Sequence, residues 1–475
     1  MATVGGTHAV VLGASLAGTL AAAALVDHVD HVTLVERDRI PLGPAPRQGV
    51  PQARHAHLLW SGGAWAIEAL LPGTIPRWLA AGARRIGLPD EVVMMTPQGW
   101  MPRFAGTQFL ITCGRDLLDW VVREQVLADE RVSLHRAEAV GLIGDQVRVT
   151  GVRLRDPDGR TLWELPADLI VDATGHGSRA HRWLADLGLG PVLRRTVDPG
   201  LAYATRVFKA PPLLGVDFPA LNVYADPRQP RPGQTAILLP IENHQWIVTL
   251  SGTRGGHPPD DAVGFVEFAR RVRHPLIGDL IATLEPVGPV YSSSSPGNRR
   301  WYFERLPRWP QGFVVLGDAV ATYNPAYGHG MSVAARSAVA LRDILRRYGL
   351  RRPDVARRAQ RAIARAVKPA WIMATGQDIR YPDVVGEPPS LATRLLRRYL
   401  DRLFTVARHR QMIMRALTDV MTLSRPMLSL LHPVTTTVAL LTPERPPLAD
   451  PPLSEWERLL SFGPRADINL NRRCL

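Results

Sequence analysis

The sequence predicts an α/β fold: a doubly wound parallel sheet, joined to an antiparallel-sheet domain and a helical C-terminal region. Three observations carry this. Up to Glu36 the chain reads as strand, small-residue turn, helix and second strand. Four stretches between Leu201 and Gly252 alternate apolar and polar residues with the period of a strand. From about Leu350 the chain becomes helical and rich in arginine, ending in the proline-rich PERPPLADPPL.

In order along the chain, HAVVL (His8 to Leu12) is a short apolar run of the kind buried in parallel sheets. A small-residue turn and an alanine-rich helix to about Asp27 follow, then the second strand, HVTLVE (His31 to Glu36). The uncharged run Ala9 to Val26 is long enough to raise a membrane span. Its turn glycines give it a different purpose, and no basic segment ahead of it resembles a secretory signal. The expectation is a cytoplasmic protein without an integral membrane segment. IPLGPAPRQGVPQ breaks regular structure, and helical periodicity returns in HLLWSGGAWAIEALLP and in RDLLDWVVREQVLAD (Arg115 to Asp129). LAYATRVF, LNVYAD, TAILLPIE and QWIVTLSG read as strands, with Asn243-His244 as a hairpin turn between the last two. GFVVLG (Gly312 to Gly317) and MSVAARSAVALRDILRRYG restore a strand and a helix.

Composition narrows the class. With 475 residues, 46% hydrophobic and 21% charged, the chain can bury the cores of two or three folded domains. Its two cysteines, Cys113 and Cys474, exclude a disulfide framework and a CxxC zinc site, and fit a reducing compartment. The net charge of +14 comes almost wholly from arginine, since Lys209 and Lys368 are the only lysines. That skew matches biased coding better than a nucleic-acid surface, so no nucleic-acid partner is expected.

Two motifs carry chemistry. In VVLGASLAG, Gly13 and Gly18 hold the first and third positions of a dinucleotide turn and Ser15 the second, with Leu16 and Ala17 entering the helix. A pyrophosphate would rest on that helix N-terminus. Glu36, with Arg37 beside it, ends the second strand where a ribose hydroxyl is met. Far downstream, in VVLGDAVATYNPAYGHGMS, Asp318 follows a strand and suits a ribityl hydroxyl. Pro325, Gly328, Gly330 and Met331 form a loop feeding a helix N-terminus, which would stabilise an anionic reduced flavin ring. Taken together, the motifs predict one non-covalent FAD.

LGDAVATYNPAYGHG resembles the GD motif of flavoprotein monooxygenases of the aromatic-hydroxylase type. The resemblance implies a glutathione-reductase-like FAD domain built from residues 1–80, 105–190 and 300–350. It also implies a substrate domain from 81–104 and 191–299, and a helical C-terminal region, 351–475. It carries FAD contacts onto Arg115 in CGRDLLDWVV, Arg47 and Val50 in PRQGVPQ, and Val140 after HRAEAV, at the adenine. LIVDATGHGSR, which includes Gly175, occupies the place of the family's DG motif, but Thr174 stands where that motif has aspartate. Such a variant resembles flavin halogenases and two-component monooxygenases. NAD(P)H would therefore act directly or through a separate flavin reductase.

A narrower resemblance is to the flavin-dependent epoxidases of polyether ionophore biosynthesis, of the monensin and lasalocid type. It rests on RQGVPQARHAHLLWSGGAWAIEALLPG, LIVDATGHGSR, IVTLSGTRGGHPP, NPAYGHGMS and ATGQDIRYP. It implies an FAD-dependent monooxygenase that uses dioxygen, through a flavin C4a-hydroperoxide, to epoxidise alkenes of a linear polyene polyketide, free or carrier-bound. No catalytic side chain is expected, because the flavin performs the chemistry. Candidate pocket residues are His55, His57, Trp60, Trp100, Tyr203 and Trp246. His55 and His57 lack the carboxylate cluster a metal would want, so no metal is expected. An aromatic hydroxylase acting on a phenol or polyketide is the alternative. A halogenase, which would need a tunnel lysine, and a non-catalytic FAD-binding protein stand further off.

Overall fold

The computed structural model describes residues 6–211, 218–295 and 297–462, so Cys474 and Pro296 lie outside the described residues. At its centre is a five-stranded sheet in the order Phe313–Val315, Leu169–Asp172, His8–Leu12, His31–Glu36, Val132–Arg136. All four pairings are parallel. All but the edge strand Val132–Arg136 are buried on both faces, which is why they read as unbroken apolar runs. The helix Leu16–Leu25 is held tightly to this sheet. A Cβ on Gly18 would fall 1.7 Å from the Gly13 carbonyl oxygen, so only glycine allows the helix to start there.

The helical reading of HLLWS needs correction. Leu58–Trp60 is a strand antiparallel to Gln108–Thr112, and the helix begins only at Ser61–Leu70. Partners supplied by the rest of the chain outweigh local periodicity in so short an apolar run. Gly63 then lets this helix approach the helix Gly330–Tyr348, where a Cβ would meet that of Ser332 at 2.6 Å.

A second sheet has seven strands in the order Tyr291–Ser294, Ala202–Lys209, Gln245–Gly252, Gln234–Ile241, Ala220–Val223, Val92–Thr96, Gly99–Trp100. Its pairings are antiparallel except that between Ala220–Val223 and Val92–Thr96. Asn243 and His244 turn the predicted hairpin, with φ of 60° and 52°. Alternation divides the sheet: Trp246, Val248 and Leu250 join a core with Phe265 and Phe268 of the helix Ala262–Arg271, whereas Thr249 and Ser251 face a cavity.

The helix Val355–Asp378 packs along Gly330–Tyr348 and adds Ile363, Val367 and Ala370 to the core of the parallel sheet. The helices Leu391–Ala407, Gln411–Met421 and Pro433–Leu441 form a smaller core that includes Met101. Among the described residues, no helix is long and apolar enough to cross a membrane.

Candidate functional site

A cavity of about 410 Å³ runs from the C-terminal ends of the parallel strands to the open face of the seven-stranded sheet. At its nucleotide end, Gly13 has φ of 94°, and a Cβ there would lie 2.7 Å from the Ala173 carbonyl oxygen. The turn must therefore be glycine. Glu36 accepts from the Ala14 N–H at 2.9 Å and the Asp38 N–H at 3.1 Å, which ties the strand end to the turn. Arg47 is buried against it: Nη2 lies 2.8 Å from Glu36, and Nη1 donates to the Ala14 carbonyl and Ser15 hydroxyl at 3.2 and 3.3 Å. Its Nε, also buried, has no partner. An orphaned guanidinium donor beside a helix N-terminus and a glycine turn fits the pyrophosphate of a dinucleotide.

Beside this turn, Asp318 follows the strand Phe313–Val315 where Gly317 sits at φ of 68°, and a Cβ on Gly317 would lie 2.8 Å from that of Ala17. Water can reach its carboxyl from the cavity, yet protein walls enclose it. This confinement pushes its pKa up, offset only in part by Arg115, His176 and Arg299. Arg115 is fixed by donating from Nε to Asp119 at 2.7 Å. Gly328 sits at φ of 65°, where a Cβ would strike Leu58 at 2.7 Å, and the helix Gly330–Tyr348 starts beside Asp318, a Cβ on Gly330 falling 3.8 Å from its Oδ1. Thr174 does not present its hydroxyl as a free group. Oγ1 and the backbone N–H both donate to the buried Asp172, at 2.6 and 2.9 Å.

The wall formed by the seven-stranded sheet carries Tyr203, Asn222, Thr235, Ile237, Leu239, Thr249 and Ser251, all uncharged. His55 is bolted to it: Nδ1 lies 2.8 Å from the Thr205 hydroxyl, and its ring meets Tyr203 edge-on at 4.3 Å. Burial, helped by Arg54, pushes His55 down to about 4. Burial and then Arg115 push His57 down to about 3. Both are neutral near pH 7, and they turn to different partners, since His57 Nδ1 bonds the His55 carbonyl at 2.8 Å. Beside this wall is an apolar void of about 40 Å³, lined in part by Trp60, Met94, Met101, Met414 and Met421. Leu58, Asn222, Ile237 and Leu239 border both spaces.

No family model matches the sequence. The chain is 32% identical over 394 residues to Protein Rv3254 of Mycobacterium tuberculosis, covering 80% of this chain and 82% of that protein. It belongs to the family of that protein. Solved structures with the same fold include pqsL, a probable FAD-dependent monooxygenase from Pseudomonas aeruginosa. That likeness has a TM-score of 0.58 at 22% identity, over 79% of this chain and 98% of that one. Another is p-nitrophenol 4-monooxygenase PnpA from Pseudomonas putida, with a TM-score of 0.58 at 15% identity, over 88% of this chain and 98% of that one. The chain thus has the fold of FAD-dependent monooxygenases.

Within this member of the Rv3254 family, the cavity gathers most of the residues named from sequence. Gly13, Ser15, Leu16, Ala17, Glu36, Arg37, Arg47, Val50, His55, His57, Arg115, Gly175, Tyr203, Asp318, Pro325, Gly328, Gly330 and Met331 all line it. Five do not. Gly18 packs against the Gly13 carbonyl behind the turn. Val140 falls beyond the lining, whose edge here is Ala137, Glu138 and Ala139. Trp60 borders the small void and donates Nε1 to the Tyr327 carbonyl at 3.2 Å. Trp100 and Trp246 point to the opposite face of their sheet, into its core. Sequence reasoning missed Asp38, Gln52, Tyr323 and Asn324, which also line the cavity. Asp38 stands two residues beyond Glu36, whereas Tyr323 and Asn324 already fall within VVLGDAVATYNPAYGHGMS, just before Pro325.

Proposed function

We propose that the chain is an FAD-dependent monooxygenase that epoxidises alkenes of a long, mostly apolar polyene, as in polyether biosynthesis. The observation that carries the reading is one continuous cavity. Its one end has the donors a dinucleotide needs, and its other end has a sheet wall without a charged side chain. Arg47, Ser15 and the N-terminus of the helix Leu16–Leu25 would hold the pyrophosphate, and Glu36 a ribose. Asp318 and Arg115 would hold the ribityl chain, and the 325–330 loop the ring. Bound FAD, once reduced, supplies electrons and the point at which dioxygen is activated.

The remaining work falls to the chain. Ile237, Leu239 and Leu58 exclude water from the reacting end. The neutral His55, locked by Thr205, and the hydroxyls of Thr249 and Ser251 orient the substrate without placing a charge beside it. An alkene needs no proton removed before oxygen insertion, and this wall supports that chemistry. Neither lysine is available for halogenation: Lys209 pairs with Glu285 at the surface at 2.6 Å, and Lys368 is absent from the lining. The Thr174 hydroxyl, committed to Asp172, supports reduction through a separate flavin reductase.

The test offers the reconstituted enzyme, with a flavin reductase and NADH, a synthetic linear polyene alongside a panel of phenols. Product mass and chirality should report epoxides of a single hand. Phenol hydroxylation without alkene oxidation would overturn the epoxidase reading and leave the flavin monooxygenase standing.

A further inference from the structure

The helix Val355–Asp378 ends on a carboxylate with no exposed surface. Asp378 accepts from the Tyr327 hydroxyl at 2.6 Å, from Asn324 Nδ2 at 2.9 and 3.0 Å, and from Asn298 Nδ2 at 2.6 Å. The bonds continue outward. The Asn324 N–H donates to Asn298 Oδ1 at 2.8 Å, and Asn324 Oδ1 accepts from the Ala326 N–H at 2.9 Å. The side chains that shape the first half of the 324–330 loop thus converge on one carboxylate. Asn324, Pro325, Ala326 and Gly328 line the cavity, whereas Asp378 does not.

We propose that Asp378 is a positioning residue that holds the 324–330 loop in the shape that receives the ring end of FAD. The proposal rests on the reading of the cavity as an FAD site. A carboxylate has only acceptors to offer, and here four donor contacts meet it. An amide of the same shape would turn an NH₂ group toward Asn298 or Asn324, leaving buried donors face to face. Three titratable groups bear on Asp378. Tyr327 from the loop and Tyr381 just past the helix end are both held neutral, and Asp198 of the strand Arg194–Asp198 raises it by like charge. Desolvation, the larger cause, pushes Asp378 to about 6. Below that pH its proton becomes one more donor among donors, so the loop loosens as pH falls.

The experiment titrates FAD into apoprotein, following flavin fluorescence and the visible spectrum from about pH 5 to about pH 8. Wild type should bind several-fold more weakly at the acid end, with the loss centred near pH 6. Asp378→Asn should raise the dissociation constant about tenfold at neutral pH, shift the spectrum and flatten the pH profile. Tyr327→Phe, which removes one donor and keeps the ring, should fold normally and give a smaller loss in the same direction. If both variants match wild type in affinity, spectrum and pH profile, the positioning role is wrong while the FAD site stands. If wild type takes up no FAD, the cofactor reading falls and this proposal with it.

Discussion

Arg47 and Asp318 face the same cavity, and their surroundings predict opposite behaviour on removal. The Arg47 side chain is almost wholly buried, and its charge neutralises Glu36 at 2.8 Å. Arg47→Ala would leave that carboxylate buried and unpaired, a loss of about 3 kcal/mol. Asp318 has no such partner holding it: confinement penalises its charge, and Arg115 relieves only part of the penalty. Asp318→Ala should therefore leave the apoprotein within about 0.5 kcal/mol of wild type or slightly more stable. It should nonetheless weaken FAD binding about tenfold, through loss of the proposed ribityl partner. Urea unfolding of the two apoproteins, paired with FAD titration, separates the cases. A marked loss of apoprotein stability in Asp318→Ala would contradict the account of its environment.

Among elements, the strand Gln245–Gly252 predicts a division of labour between its two faces. Trp246 is fully buried, stacked on Phe218 with ring centroids 4.6 Å apart, and it shares its face with Val248 and Leu250. Trp246→Ala should cost about 3–5 kcal/mol and leave cavity binding intact in what still folds. Ser251→Leu on the other face should barely change stability but raise KM for a long substrate, which steady-state kinetics on a polyene series would reveal. Equal effects of the two substitutions on KM would mean that the faces are not separate. The same strand shows what the sequence could and could not reveal. Its period of two was readable, but which face meets helices and which meets a ligand depends on segments far away in the chain. Trp100 and Trp246 were therefore assigned to the wrong side. Motifs compressed into a few residues, such as Gly13–Ser15 and Asp318–Gly330, were legible because the turn chemistry is local. The Asp378 network was not, since its partners lie 54 and 80 positions away. Leu58–Trp60 failed as a helix for a related reason, as a strand of three residues is defined only by its neighbour.

On the scale of the whole molecule, the cavity is where the nucleotide fold and the seven-stranded sheet meet, and His329 joins it to the C-terminal helices. It lines the cavity, heads the helix Gly330–Tyr348, and bonds through Nε2 to the Met421 carbonyl at 3.1 Å, at the end of the helix Gln411–Met421. Its Nδ1 is buried without a partner, so a second proton there would have no acceptor. Burial accordingly lowers its pKa from 6.5 to about 4, the Met421 bond opposing this only in part. In the unfolded chain the ring regains its ordinary value. Between pH 6.5 and about 4 the unfolded state thus binds a proton that the folded state refuses. Stability contributed by the neutral ring is full above 6.5 and is lost progressively as pH falls toward the folded value. From about pH 7 to about pH 5 the loss should be about 2 kcal/mol. Asp378 works with the opposite sign, since its raised pKa penalises folding as pH rises through about 6, so the total slope of wild type does not isolate His329. The difference between wild type and His329→Gln does isolate it. Glutamine can still donate to Met421 but does not titrate. Urea unfolding of both apoproteins at the two pH values should show wild type losing about 2 kcal/mol more than the variant on acidification. Parallel losses would mean that His329 takes up its proton inside the folded molecule, and that the joint between the cavity and the C-terminal helices tolerates a charge.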